Sequence, residues 1–448
     1  MHIPTLYTDN PTINMAFRIA IGDFVSNITP FQGGLLKEKA PVMLAGLGYD
    51  TPWTRDGAIN TWNCGGLLAP ETAKNTLLAT VICDNGRNRI GGEYWDAIIW
   101  AIGAYSYVLY NGDAEFRKFA LDVIENSLAF FEETEFDSAK NLFRGGACYA
   151  DGISAYPDIY CVGDSGIQAF AEKRKDLCVK HGVGIPVFAL STNCLYYKAY
   201  QIAAEWSGKA EYKAKAEALK DSINRTFWNQ CRGLYDYLAD DFGGCDAAEA
   251  LGQSFAILFG IASSDQTNQI LQNMPVMPQG VPCLYPNFQR YEQYGYGRHS
   301  GPVWPHVQTF WADACAKYAP EKFCHELEAL SQNAVRDGYF SEIYHPYTGE
   351  RYGGVQEWQG SIVDTWKSEK RQMWCATGYI RMILFDLLGM RFAENGITVS
   401  PMQTDMIHEL HLYDLPYQNA VLNLHVDFSK HGSAFISTDL KGINSISI

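Results

Sequence analysis

The sequence predicts an all-α fold, a ring of helix hairpins carrying a small β-rich appendage at its C-terminus, and three observations carry that expectation. Apolar residues recur at helical spacing through most of the chain, long Gly-, Pro- and Tyr-rich connectors separate the helical segments, and after about Gly389 the pattern changes to short alternating runs.

The helical spacing is clearest over Trp95–Tyr110, Thr192–Trp206, Glu211–Phe227, Val303–Tyr318 and Gly378–Leu388. The connectors run over Gly46–Asn60, Gly145–Pro186, Pro275–Gly301 and Tyr339–Trp374, and they hold nearly all the clusters that combine acids with aromatics. Loops of that length inside a compact domain usually serve a function, so they are expected to gather at one end of the ring over a central cavity. The alternating runs Gly396–Pro401, Ile407–Leu412 and Ala420–Phe428 are rich in β-branched residues and turn signals. The expected division is residues 1–390 for the helical ring and 391–448 for the appendage. No short-period repeat or low-complexity tract is evident.

Composition narrows the function. Of 448 residues, 47% are hydrophobic and 14% aromatic, enough for a large core. Fifty acidic against 35 basic residues give a net charge of -15, a field that repels nucleic acid and anionic membranes and favours a neutral or cationic ligand. No run approaches the roughly 20 apolar residues that span a bilayer, and the opening MHIPTLYTDNPTINMAF lacks a basic segment followed by an apolar one, so a soluble, cytoplasmic protein is expected. The twelve cysteines are scattered, with no C-x-x-C pair, and are expected to be free thiols rather than disulfides or metal ligands.

Four segments bring carboxylates and aromatic rings together, as a sugar pocket requires: ring faces stack on C–H surfaces and carboxylates accept hydroxyl hydrogen bonds. The first, Tyr49 to Gly57, sets Trp53, Arg55 and Asp56 just before a predicted helix; Asp56 also fits a helix-capping role. The second, Arg89 to Asp96, places Glu93, Tyr94 and Asp96 at the head of an apolar helix, with the two acids three apart on one face, where they would also suit the helix dipole. The third, Gly145 to Pro157, surrounds Asp151 with small and aromatic residues. A carboxyl partly desolvated there would hold its proton near neutrality, as a general acid must, although the segment equally fits a turn aspartate. The fourth, Tyr339 to Glu350, carries Glu342, a carboxylate able to activate water, and is followed by Glu357-Trp358 and by Trp374. A further segment, Tyr296 to His306, has His299 and Trp304 ahead of Pro305 in a helical first turn; its two histidines are too far apart in sequence, across a Gly-Pro, for a metal pair.

Taken in order from about Gly46 to Pro401, these segments resemble the clan of inverting α-glycosidases that contains trehalase, processing α-glucosidase and the amylo-α-1,6-glucosidase part of glycogen debranching enzymes. PWTRDG is similar to the clan's W-x-R-D segment, YWDAIIWAI to its Y-x-x-D-A-x-L-W-x-I helix, and CYADG to the segment bearing the general acid. RHSGPVWPH resembles Y-H-x-G-x-V-W-P-W, and SEIYHPYTGE with QMWCATGY resembles the segment bearing the catalytic base. The chain departs from the pattern at Tyr149-Ala150, where a tryptophan is usual, and around Phe188 and Ala189, where a carboxylate is usual.

The resemblance implies an (α/α)6 barrel, a toroid of helix hairpins, and a single displacement with inversion in which Asp151 is the acid and Glu342 the base. It also implies an α-glucoside of a small oligosaccharide or disaccharide as substrate. Trp53, Arg55, Asp56, Glu93, Tyr94, Asp96, His299, Trp304, Glu357 and Trp374 would bind it, with no metal and no organic cofactor. Two alternatives stand beside this: a glycoside phosphorylase, for which Arg298, His299 and Lys367 supply basic residues, and a carbohydrate-binding helical ring without catalysis.

Overall fold

The computed structural model describes residues 3–92, 94–161, 166–173, 185–363, 366–393, 396–418, 420–427, 435–438 and 446–447. Its helices alternate between two kinds. One set is buried on nearly every side: α2 (Thr54–Asn60, continued by a wider turn through Gly65), α4 (Trp100–Asn111), α6 (Leu190–Ser207), α8 (Ala250–Leu258), α10 (Pro305–Ala316) and α12 (Met373–Arg381). The other set buries one stripe only: α1 (Pro11–Ser26), α3 (Pro70–Ala79), α5 (Ala114–Thr134), α7 (Ala210–Phe227), α9 (Ser264–Asn273) and α11 (Pro320–Asp337). The sequence accounts for the difference. A helix buried on nearly every side is mostly apolar or small, with its few charged residues paired or turned to a cavity, whereas one on the outside needs apolar residues only on the face it turns inward.

The buried helices pack in chain order, α2 on α4, α4 on α6, α6 on α8, α8 on α10 and α10 on α12, and α12 also packs on α2. The amphipathic ones lie against them, as α5 does on both α4 and α6, and α11 on α10. Local signals fix many ends. Asn10 and Asp113 cap α1 and α5 with their side chains, a Ser263–Gln266 capping box opens α9, and prolines start α3, α10 and α11. Gly112, Gly208 and Gly338 end α4, α6 and α11 in the left-handed conformation.

These turns reveal a polarity. The links leaving the C-terminal ends of the buried helices are short, such as Gly112-Asp113 between α4 and α5 and Gly208-Lys209 between α6 and α7. The links that enter their N-terminal ends are the long connectors. The acids and aromatics of these connectors that line the cavity described below are therefore delivered to one end of the bundle.

The C-terminal segment forms strands β2 (Met390–Ala393), β3 (Gly396–Val399), β4 (Glu409–Tyr417), β5 (Ala420–Asp427) and β6 (Phe435–Thr438). β4, β5 and β6 are joined by a strand that the sequence division misses, β1 (Thr5–Thr8), in the antiparallel order β1-β4-β5-β6. β1 pairs Leu6 with Leu412, so residues 1–390 and 391–448 share a sheet. Four residues are too short to show an alternating pattern. A second sheet holds β2 against β3, with Ile446–Ser447 parallel to β3.

The described cysteines are free, six of them buried. Among the described residues no helix is long and apolar enough to cross a membrane.

Candidate active site

The long connectors enclose a cavity of about 380 Å3 at the N-terminal ends of the buried helices. That is toward the lower end of the roughly 300–1,000 Å3 usual for small-molecule sites. Its wall draws on five separated stretches of chain: Trp53, Arg55 and Asp56 at the head of α2; Tyr94; Tyr149, Asp151 and Gly152; Arg298, His299 and Trp304; and Glu342, Gln356, Gln372 and Trp374.

The head of α2 is pinned by Thr54, whose hydroxyl donates to the Gly91 carbonyl at 2.7 Å, so Arg55 and Asp56 fall in the first turn and face inward. Arg55 Nη1 donates to Asp96 Oδ2 at 3.0 Å, and its Nη2 lies 3.9 Å from Asp151 Oδ1. The Arg55 guanidinium sits 5.2 Å from the centre of the Tyr94 ring, which stacks on Trp53. Asp56 is buried beside these groups. Burial, reinforced by the charges of Asp151 and Asp96 and opposed by Arg55, pushes its carboxyl up to about 7.

Asp96 does a different task from the one its sequence position suggested. It stands ahead of a short 3₁₀ turn, Ala97–Ile99, and not on a helical face. It does not line the main cavity. Its Oδ2 also accepts the Tyr149 N–H at 2.8 Å, tying the Arg55 turn to the segment that carries Asp151. Tyr149 has φ +57, a strained value for a non-glycine residue, and this hydrogen bond helps to hold it. Its ring is wedged against His306 and Trp304. Asp151 itself is less enclosed than the sequence suggested: its side chain is 38% exposed to the open cavity and faces a cation.

Glu342 is the opposite case. Its N–H donates to the Glu369 carbonyl at 2.9 Å, and the adjacent Ser341 bridges to Lys370, so its backbone is fixed. Oε2 accepts from Arg298 Nη2 at 2.8 Å and from the Glu369 N–H at 3.1 Å. Burial raises this carboxyl above the ordinary glutamate range, against the pull of Arg298. Arg298 is itself committed, with Nη1 donating to the carbonyls of Gly353 and Lys367 at 2.9 and 3.0 Å.

His299 stacks on Trp304, and its Nδ1 lies 3.1 Å from Ser154 Oγ. His306 stacks on Trp374 with ring centroids 4.0 Å apart. Burial first, then nearby arginines, keeps both imidazoles well below the usual histidine range, hence neutral.

Of the residues singled out from the sequence, Trp53, Arg55, Asp56, Tyr94, Asp151, His299, Trp304, Glu342 and Trp374 meet in this one cavity. Glu357 does not. It pairs with Arg290 Nε at 2.9 Å and with the Tyr291 hydroxyl, while its strand neighbour Gln356 faces the cavity and accepts from Ser154 Oγ. Adjacent residues of a strand point to opposite faces, so only one of the two can reach the ligand. Glu93 lies outside the described residues. Sequence reasoning missed Tyr49, Gln356, Trp366 and Gln372 as wall residues; Tyr49 and Gln372 lie inside segments it quoted but were not themselves singled out.

The pocket is walled by indole and phenol rings on a predominantly helical frame, and it holds two carboxyls from different connectors, each beside an arginine. Residues 99–362, more than half of the chain, match the model of the mannosylglycerate hydrolase MGH1-like glycoside hydrolase domain, and the chain belongs to that family.

A mannosylglycerate hydrolase MGH1 from Selaginella moellendorffii is 24% identical over 189 residues, 40% of this chain and 38% of the relative's own length. The chain thus spans well under half of that relative. In fold it is similar to a sialidase (TM-score 0.71, 14% identity, 97% of this chain and 40% of that one). It is also similar to the GH63 mannosylglycerate hydrolase from Thermus thermophilus (TM-score 0.59, 11% identity, 82% of this chain and 100% of that one).

Proposed function

We propose that the chain is an inverting α-glycosidase in which Asp151 protonates the glycosidic oxygen while Glu342 takes a proton from the water that attacks the anomeric carbon. The frame is read as a closed (α/α)6 barrel, with the C-terminal strands as its appendage. The observation that carries the proposal is that these two carboxyls, 191 positions apart in sequence, line one small cavity in unlike settings. An inverting pair needs a separation of about 6.5–9.5 Å to admit the water.

The settings suit the roles. Glu342 has both of its hydrogen bonds on Oε2, which leaves Oε1 for the water, and burial makes it a stronger base than a surface glutamate. Asp151 opens to the cavity, where a bound sugar would displace solvent from it. As water adds to the anomeric carbon, the bond to the leaving oxygen breaks and that oxygen takes the Asp151 proton. The products are the inverted sugar and an alcohol. Asp56 and Arg55 would hold hydroxyls, and Trp53, Trp304 and Trp374 would stack on the ring. Arg298 is already bound to Glu342 and to two carbonyls, which argues against the phosphorylase alternative.

The sequence resemblance favours an α-glucoside, whereas the names of the relatives favour mannosylglycerate. The first assay therefore offers α-mannosylglycerate, α-mannosides, α-glucosides and trehalose, with NMR following the anomer first released. The expected result is release of the β-sugar by the native protein and a fall in kcat of about 10²–10⁴-fold in both Asp151→Asn and Glu342→Gln. Activity surviving either substitution would sink the assignment.

The upward shift of Asp56 favours one second reading, in which Asp56 holds the transferred proton. Aryl glycosides with good leaving groups separate the two. They need no acid, so they restore turnover only to the variant that has lost it.

A further inference from the structure

We propose that Glu409, His411 and His425 form a binding site for a divalent transition metal of the zinc class, on the exposed face of the C-terminal sheet and apart from the glycosidase cavity. Glu409 and His411 are two apart on β4 and so point to the same side of the sheet. His425 on β5 is the direct cross-strand partner of His411. Three donor groups thus stand on one patch of an antiparallel ladder, fixed by register rather than by a flexible loop.

Their donor atoms converge. Nε2 of His411 and Nε2 of His425 each lie 2.9 Å from the same oxygen, Glu409 Oε1, and the ligand atoms of the three residues fall within 4.8 Å of one another. Zinc holds histidine nitrogen at about 2.0–2.1 Å and carboxylate oxygen at about 2.0–2.2 Å in tetrahedral geometry, so neighbouring ligands sit roughly 3.3 Å apart. The donor atoms, all within 4.8 Å of one another, lie near that spacing, with the two imidazole rings stacked 4.2 Å apart. Two imidazoles and a carboxylate are a borderline donor set, suited to Zn2+ and to the late first-row ions and not to Mg2+ or Ca2+.

A second observation points the same way. His411 Nδ1 lies 3.3 Å from the Tyr413 hydroxyl. A ligating histidine commonly donates its other ring N–H to a nearby oxygen, which fixes the tautomer with its lone pair on the metal-facing nitrogen. The side chains are 55% (Glu409), 30% (His411) and 34% (His425) exposed, so an ion can reach the site and waters can complete its shell. Asp427, opposite Glu409 in the register, places a further carboxylate on the same face. The set is invisible in the sequence because His411 and His425 are 14 residues apart and only the hairpin pairs them.

A bound ion would cross-link β4 and β5 beside the edge where β1 joins, and would stabilise that sheet. The test uses the untagged full chain, stripped with chelator and titrated calorimetrically with ZnCl2. Expected are one Zn2+ per chain, a rise in Tm, and binding at least about tenfold weaker in each of His411→Ala, His425→Gln and Glu409→Gln. His408→Ala, whose side chain pairs with Asp9 instead, is expected to bind as the native protein does. Co2+ absorbance then identifies the ligands: tetrahedral bands without thiolate charge transfer support the site. Three results would overturn it: no stoichiometric binding, equal binding in the three variants, or a thiolate spectrum, which would move the ion to exposed Cys83 or Cys231.

Discussion

The two ends of the buried helices hold cavities of nearly equal size and opposite chemistry. At the N-terminal ends, the cavity of about 380 Å3 is lined by Asp56, Asp151 and Glu342. At the C-terminal ends, a cavity of about 400 Å3 is lined by Lys198, Lys317, Arg381 and Arg391 over Trp62, Phe259 and Phe385, with Asp313 as its acid. Acids at helix N-termini and cations at C-termini both complement the helix macrodipole, so one set of helices stabilises both arrangements. What differs is how the charges are neutralised. At the first cavity Asp151 stays open and its arginine lies 3.9 Å away. At the second, burial would raise Asp313, but Arg381 outweighs it and holds that carboxyl below the ordinary range, while Asp386 beside them is raised. The Arg381 guanidinium also lies over the Trp62, Phe310 and Phe385 rings. The Arg381–Asp313 pair of the second cavity is consumed by structure, whereas Asp151 of the first is left open to a ligand.

That contrast is broken most strongly at Arg381. Arg381→Met strands Asp313 in the core and is expected to destabilise the fold by about 3–5 kcal/mol in urea unfolding. The kcat of the protein that remains folded should be unchanged. A fall in kcat at constant folded fraction would mean that the far cavity takes part in the reaction.

The legibility of the two ends from sequence follows the same division. The helices were readable because their faces repeat: the predicted Glu211–Phe227 and Thr192–Trp206 differ by one or two residues from the observed Ala210–Phe227 and Leu190–Ser207. The stretch from Trp95 was read as helix five residues early, because its apolar spacing continues back through a 3₁₀ turn. The first cavity was readable because its acids and aromatics crowd into connectors too long to be mere links. Asp96 and Glu357 misled because a side chain in a turn or short strand can face either way, and that direction depends on partners such as Arg55 and Arg290 that lie far off in sequence. The second cavity left no mark, since Lys198, Asp313 and Arg381 sit singly on different helices. β1 joined the C-terminal sheet through a pairing some 400 residues long, beyond any local pattern.

The comparison sharpens with pH. Burial pushes Glu249, at the head of α8, up to about 8, against hydrogen bonds from Ser191. Between about pH 4.5 and 8 the native protein keeps a proton there that the unfolded chain releases. The unfolded state then binds fewer protons, so stability is full below the unfolded value and falls as pH rises through the folded one. Asp56, up at about 7, contributes with the same sign. Glu249→Gln is expected to flatten the decline of the unfolding free energy from urea titrations over this interval by up to about 1.4 kcal/mol per pH unit. Were the decline to persist in full, the proton would reside elsewhere.

The smallest effect separates the turns from the connectors. Gly208 links α6 to α7 at φ +71, and a Cβ added there meets nothing within 4 Å, so Gly208→Ala introduces backbone strain alone. An alanine forced into the left-handed region is expected to lose about 1 kcal/mol of stability, with kcat and KM intact. Gly152 is the reverse: its backbone needs no glycine, since φ is -73, but a Cβ there would collide with Gln356 and with the His299 ring in the wall of the first cavity. Gly152→Ala should therefore raise KM or lower kcat more than it lowers the urea midpoint. If the two alanines behaved alike, the short turns and the long connectors would not divide stability from activity as their positions suggest.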